Sequence, residues 1–101
     1  MSAFLIVRAS VPESDREAFE TWYQKEHLPE AKAAFKAISA RRGWGDVEPG
    51  VHWAMYEFSD LNAARAITES DILKGLIAEF DRVWEGRVTR SREVVGVNQL
   101  I

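Results

Sequence analysis

Apolar and polar positions along the chain switch between a period of about two and a period of about 3.6, the repeats of strand and helix. Ala3-Phe-Leu-Ile-Val-Arg-Ala-Ser-Val11 is mostly apolar and β-rich, as in a central strand covered on both sides. Pro12 follows, and Ser14-Asp-Arg-Glu17 has the capping-box form with Glu13 and Asp15 in the first turn. This predicts a helix beginning at residues 12–15 and running to about Glu26. Pro29 disfavours helical geometry at Leu28, so a kink or break is predicted at His27-Leu28, with a second short helix opened by Pro29. Ile38 to Asp46 alternates as a strand weakened by Gly43 and Gly45, and Glu48-Pro-Gly50 is turn chemistry. Val51-His-Trp-Ala-Met-Tyr-Glu-Phe58 is the clearest later strand and pairs back as a hairpin. Ser59 or Asp60 can cap a helix over Leu61 to Thr68, and Ser70 another over Asp71 to Trp84. In the latter, Ile72, Leu73, Leu76, Ile77, Phe80, Val83 and Trp84 trace a core stripe, which Gly86 ends. Arg87 to Ile101 is the last strand segment.

The order β-α-β-β-α-β, with right-handed crossovers, predicts an α+β fold of the ferredoxin-like kind. Four antiparallel strands carry helices on one face. The other sheet face is left open, and a second copy packing sheet to sheet is the simplest cover, so a homodimer is predicted. With 101 residues the chain is one domain, 1–101.

Composition narrows the function classes. A net charge of -3 gives no basic footprint for nucleic acid. The absence of cysteine excludes disulfides and thiolate chemistry and is compatible with a reducing cytoplasm. The short apolar run at the N-terminus reads as a strand rather than a signal peptide or membrane span. Four tryptophans exceed what a minimal core needs, which points to a ligand cavity or a subunit interface. No phosphate-binding glycine loop, P-loop or nucleophile elbow is present.

The candidate chemistry gathers in Phe19-Glu-Thr-Trp-Tyr-Gln-Lys-Glu-His-Leu-Pro29. At about 100° per residue, Phe19, Trp22, Tyr23 and Glu26 share one helical face, with His27 at its edge. Trp22-Tyr23-Gln-Lys-Glu26-His27-Leu28-Pro29, followed by a strand with Ala40-Arg41-Arg42, resembles the dimeric α/β-barrel superfamily, whose small stand-alone members often carry a W-Y-x-x-E-H-L-P string at this place. Glu79 to Trp84 running into Arg87 to Glu93 resembles the end of such proteins. The resemblance implies a homodimer with a pocket between helices and sheet in each subunit. It does not select one activity, because the superfamily includes cofactor-independent monooxygenases of antibiotic biosynthesis, muconolactone isomerases, haem-handling proteins and proteins of the ethyl tert-butyl ether degradation type.

His27 is the leading candidate acid or base, since imidazole titrates near working pH; alternatively it caps the broken helix. Glu26 would orient His27 or act in its place; alternatively it forms a salt bridge to Arg41 or Arg42 that ties helix to sheet. Trp22, Tyr23 and Trp84 would form apolar walls, though such residues more often build core. Trp53 and His52 point to opposite faces of their strand, one towards the helices and one towards the dimer interface. Trp44, beside glycines, would be a rim residue. Arg41 and Arg42 would bind a substrate carboxylate or make surface or dimer salt bridges. A metal set of His27, His52 and Glu26 is not enforced by spacing. The reading is an enzyme-like protein, monooxygenase- or isomerase-like, acting on a small hydrophobic aromatic or carbonyl compound without a tightly bound cofactor. A non-catalytic dimeric ligand-binding or structural module is the alternative, and haem binding a third.

Overall fold

The computed structural model describes residues Met1–Ile101. Its elements follow the predicted order: β1 (Ala3–Ser10), α1 (Arg16–Trp22), a π-helical turn (Tyr23–His27), α2 (Leu28–Phe35), β2 (Ser39–Trp44), β3 (Val51–Phe58), α3 (Leu61–Thr68), α4 (Asp71–Trp84) and β4 (Thr89–Gly96). The strands form one antiparallel sheet in the order β2-β3-β1-β4, with β1 paired to β3 and β4 along its whole length. The β-branched and aromatic run of β1 therefore occupies the centre, as its two-sided apolar pattern requires.

Side chains alternate across this sheet. Leu5, Ala9, His52, Ala54 and Tyr56 are buried on the side of the helices. Phe4, Ile6, Arg8, Trp53, Met55, Arg41, Glu93 and Val95 fall on the opposite side by register. No helix covers that side, and Trp53 and Val95 remain 37% and 40% exposed. The open face thus has an apolar centre and a charged rim.

The helix starts are only partly as predicted. A short 3-10 turn over Glu13–Asp15 opens the first helical segment, and no side chain caps it, so the Ser14–Glu17 capping box is not made. Asp15 instead receives Arg87 Nη1 at 2.9 Å. Asp60, rather than Ser59, caps α3 through Ala63 N–H at 2.8 Å, and Ser70 caps α4. Asp60→Ala is expected to lower stability by about 1 kcal/mol in urea melts, since the first-turn N–H then loses its acceptor. The last strand stops at Gly96, and residues 97–101 lie outside it, shorter than the predicted run to Ile101.

Of the kink or break predicted at His27-Leu28, the break does not occur, and the irregularity is a π turn that ends there. The chain stays helical through Pro29, with Leu28 at φ -64 and ψ -48. Proline has no N–H, and its ring would strike the carbonyl four residues back in a regular α-helix. The turn widens instead. Leu28 N–H bonds to the Tyr23 carbonyl, five residues back, and regular helix resumes behind it.

Candidate functional site

The widened turn decides which side chains meet. In a regular α-helix the residue four on from Trp22, Glu26, would lie above it. In a turn closed over five residues, His27 takes that place. Its ring stacks on Trp22 at 4.4 Å between centroids and 15° between planes. Tyr23 and Phe80 meet it edge-on at 4.9 and 5.9 Å. His27 is buried, and its Nδ1 has no hydrogen-bond partner in the protein. Burial first, and the Arg90 charge second, push its pKa down to about 4, so the ring is neutral at neutral pH.

A cavity opens beside this ring, between the sheet and α2 and α4. Leu5, Val7, Ala31, Phe35, Leu73, Leu76, Ile77 and Phe80 make its apolar wall, and Tyr23, His27, Tyr56, Arg90 and Arg92 supply its polar groups. Its free volume is about 30 Å³, room for a water molecule or two. Burial, foremost, lifts the Tyr23 phenol to about 12, against a hydrogen bond from Tyr56 that lowers it. Tyr56 is pushed up as well, again by burial first. Both phenols therefore stay protonated across the working range.

Behind Tyr23 lies a second buried group. His52 faces the helices, so Trp53 faces the open side, which settles the alternation on β3. The His52 ring lies 4.5 Å from Tyr23, 5.1 Å from Phe19 and 5.0 Å from Trp44. Burial pushes its pKa down to about 4, with Arg42 adding to the effect. Phe19 is the hub of the packing: the rings of Tyr23, Trp44, Phe80 and Trp84 all lie within 6.1 Å of it. Trp44 is therefore part of this cluster and not a rim residue.

The tie between helix and sheet is made by Glu20. Its carboxylate takes both Arg42 guanidinium nitrogens and, at 2.8 Å, the Trp44 indole N–H. The Arg42 hydrogen bond, foremost, holds Glu20 down at about 2.

Of the seven sequence candidates, His27 and Tyr23 line the cavity. Trp22 backs His27 from outside it. Trp84 is buried among Phe19 and Trp22, 5.3 and 5.8 Å away, and is core rather than pocket wall. Glu26 is exposed and borders an outer groove with Ser14, Glu17 and Thr21, because the π turn carried it off the aromatic face. Its expected salt bridge belongs to Glu20 instead, one and a half turns earlier. Arg41 is exposed on the open sheet face, 3.9 Å from Glu57. Trp53 lies on that face too, 5.8 Å from the Arg8 guanidinium. Neither Arg41 nor Trp53 reaches the cavity.

Sequence reading missed Tyr56, Arg90 and Arg92. Their signal was positional: Arg90 and Arg92 continue the inward alternation that ends at Val94, opposite Leu5 of the central strand. His27, His52 and Glu26 do not converge, and no group of three potential ligands is placed to hold a metal ion. No helix is long and apolar enough to cross a membrane.

No known family profile and no curated relative matches the chain. Solved structures do match it. An ethyl tert-butyl ether D (EthD) family protein from Bacillus halodurans superposes with a TM-score of 0.69 at 16% identity, over 92% of this chain and 97% of that one. HapK from Hahella chejuensis gives 0.68 at 17% identity, over 99% and 93%. SnoaB from Streptomyces nogalater, a cofactor-independent oxygenase, gives 0.63 at 15% identity, over 99% and 96% in its N63A form. The likeness covers nearly the whole chain and bears out the ferredoxin-like α+β fold.

Proposed function

We propose that this protein is a small enzyme of the cofactor-independent oxygenase or isomerase kind, acting on a hydrophobic aromatic or carbonyl compound in the cavity beside His27. The observation that carries the reading is a buried, neutral imidazole whose Nδ1 is unpaired within an aromatic wall. Such a ring is a poor imidazolium acid at neutral pH. It serves better as a neutral hydrogen-bond partner for a carbonyl or enol oxygen, or as acceptor of an enol proton. Tyr23, protonated throughout, would donate to the same oxygen. The likeness to SnoaB supports the class and not the substrate.

The test is oxygen uptake and product analysis with a panel of enolisable aromatic ketones. His27→Gln is expected to lower turnover at least tenfold while the circular dichroism spectrum is unchanged. Equal rates in the two proteins would overturn the assignment of His27. The smallness of the cavity favours a second reading, a non-catalytic dimeric module that is structural or binds a ligand without transforming it. Saturable binding with no consumption of any compound would decide for it.

The proposal includes a homodimer through the open sheet face, supported by the apolar patch of Phe4, Ile6, Trp53, Met55 and Val95. Met55→Lys in the middle of that patch is expected to halve the molar mass in sedimentation equilibrium, down to 11.5 kDa. A wild-type protein already sedimenting as a monomer would refute it. A cytoplasmic site of action goes with this reading, supported by the cysteine-free sequence.

A further inference from the structure

Arg90 has no role in the reading above, and its surroundings are unusual for a guanidinium. It enters from β4, pointing inward by register beside Ala9, and its side chain is only 11% exposed. Its charge centre lies 3.8 Å above the Phe80 ring. One nitrogen, Nη2, reaches the half-exposed Asp81 carboxylate at 3.3 Å. The other, Nη1, is buried and has no hydrogen-bond partner in the protein. Arg92, two residues on, lines the same cavity, and no aspartate or glutamate does. Asp81 answers Arg90 through Nη2 alone and does not line the cavity, whose ionisable lining is two arginines, two phenols and one neutral imidazole, so Nη1 is left as a buried cationic donor without an acceptor. A buried donor without an acceptor is costly, and an anionic oxygen beside Nη1 removes that cost.

We propose that the cavity takes the anionic head of its ligand, an unsaturated or aromatic compound carrying one carboxylate or ionised enol, whose oxygen pairs with Arg90 Nη1 while the rest of the molecule lies across the open mouth. This rests on the reading of the cavity as the working site and names the substrate class for it. Arg90 is then the charge-reading residue. Its planar fork lies against Phe80, which fixes it without using Nη1. Arg92 adds field from the same strand, and the His27 and Tyr23 groups remain for the neutral part of the ligand. Burial, foremost, and the Arg92 charge lower the Arg90 pKa, and Asp81 offsets part of this.

Two matched pairs of probes test this by calorimetry and tryptophan fluorescence. One is 2-naphthoate against 2-naphthamide, and the other is 2-hydroxy-1,4-naphthoquinone, an acidic enol, against its neutral 2-methyl analogue. Each anion is expected to bind at least tenfold more tightly than its neutral partner. The pair that shows the larger preference tells carboxylate from enolate. Arg90→Gln should abolish the preference, Arg90→Lys should keep part of it, and Asp81→Asn should keep or increase it. Asp81→Asn leaves Arg90 in place, so a fold lost in Arg90→Gln does not leave the question open. Tighter binding of the neutral partners, or a preference unchanged in Arg90→Gln, would overturn the inference. If neutral ketones are turned over through His27 and the anions fail to bind, the anion inference falls and the enzymatic reading stands. If the anions bind through Arg90 and nothing is turned over, the reverse holds.

Discussion

Titrated downward from neutrality, the protein is expected to lose about 3 kcal/mol of folding stability for each of its two buried histidines between pH 6.5 and pH 4. The sign follows from where the protons bind. In the unfolded chain both imidazoles have the ordinary value of 6.5, and in the folded protein burial holds both near 4. Within that window the unfolded state binds more protons, so stability falls as pH falls. Below about pH 4 both states are charged and the loss levels off. The two rings flank Tyr23, at 4.9 and 4.5 Å, so protonating one makes protonating the other harder in the folded protein, which adds to the combined loss and carries its last part below pH 4. Arg90 opposes the charging of His27 and Glu79 favours it, while Arg42 opposes that of His52 and Glu20 favours it. Glu20 itself contributes stability that is present above its ordinary 4.5 and is lost as pH falls from there to about 2, so it adds to the loss only at the acid end of this window. Urea melts from pH 7.5 to pH 4 check the expectation. A flat profile in the wild type would contradict it, and His52→Gln should remove roughly half of the slope.

Glu20→Ala is expected to cost about 2–3 kcal/mol, the larger part through what it leaves behind. Arg42 is only 15% exposed and would lose both of its charge-assisted bonds, and the Trp44 indole N–H would lose its acceptor. Glu20 is itself 42% exposed, and water at that edge keeps the loss below that of a fully buried pair. The double change Glu20→Gln with Arg42→Met removes the stranded charge and should recover about half of the loss. Equilibrium unfolding in urea measures both. If Glu20→Ala melts within 0.5 kcal/mol of the wild type, about the scatter of neutral surface changes, the tie does not hold α1 to β2.

The element order was legible because each segment carries its own period. The strand at Val51–Phe58 and the helices at Leu61–Thr68 and Asp71–Trp84 lie where their alternation, stripe and caps put them. The site was legible only near His27. Trp22, Tyr23 and His27 stand together, yet Glu26 does not, because helical phase was counted at a constant 3.6 residues per turn through a proline that the backbone accommodates by widening. Arg41 and Trp53 missed the cavity for a different reason. A strand residue's face depends on register with its neighbours, and only pairing with β1 and β3 sets it. Arg90 passed unnoticed because a charged strand segment ordinarily reads as solvated. Here it lies next to the central strand, with its even-numbered side turned to the core.

The π turn at Tyr23–His27 has a consequence for how this sequence can change. It holds one more residue than the α turn it replaces, so it shifts everything after it by about 100° of helical phase. Ala31 and Phe35 reach the sheet, and His27 reaches Trp22, only with that shift in place. A substitution inside the turn leaves the count of residues, and therefore the phase, untouched. A deletion of one residue there would turn α2 to a different face or pull His27 from its stack. The spacing between Trp22 and Phe35 is thus constrained more tightly than most of the residues that fill it. Length is the constrained quantity here, and substitutions at the exposed positions Gln24, Lys25 and Glu26 leave it unchanged.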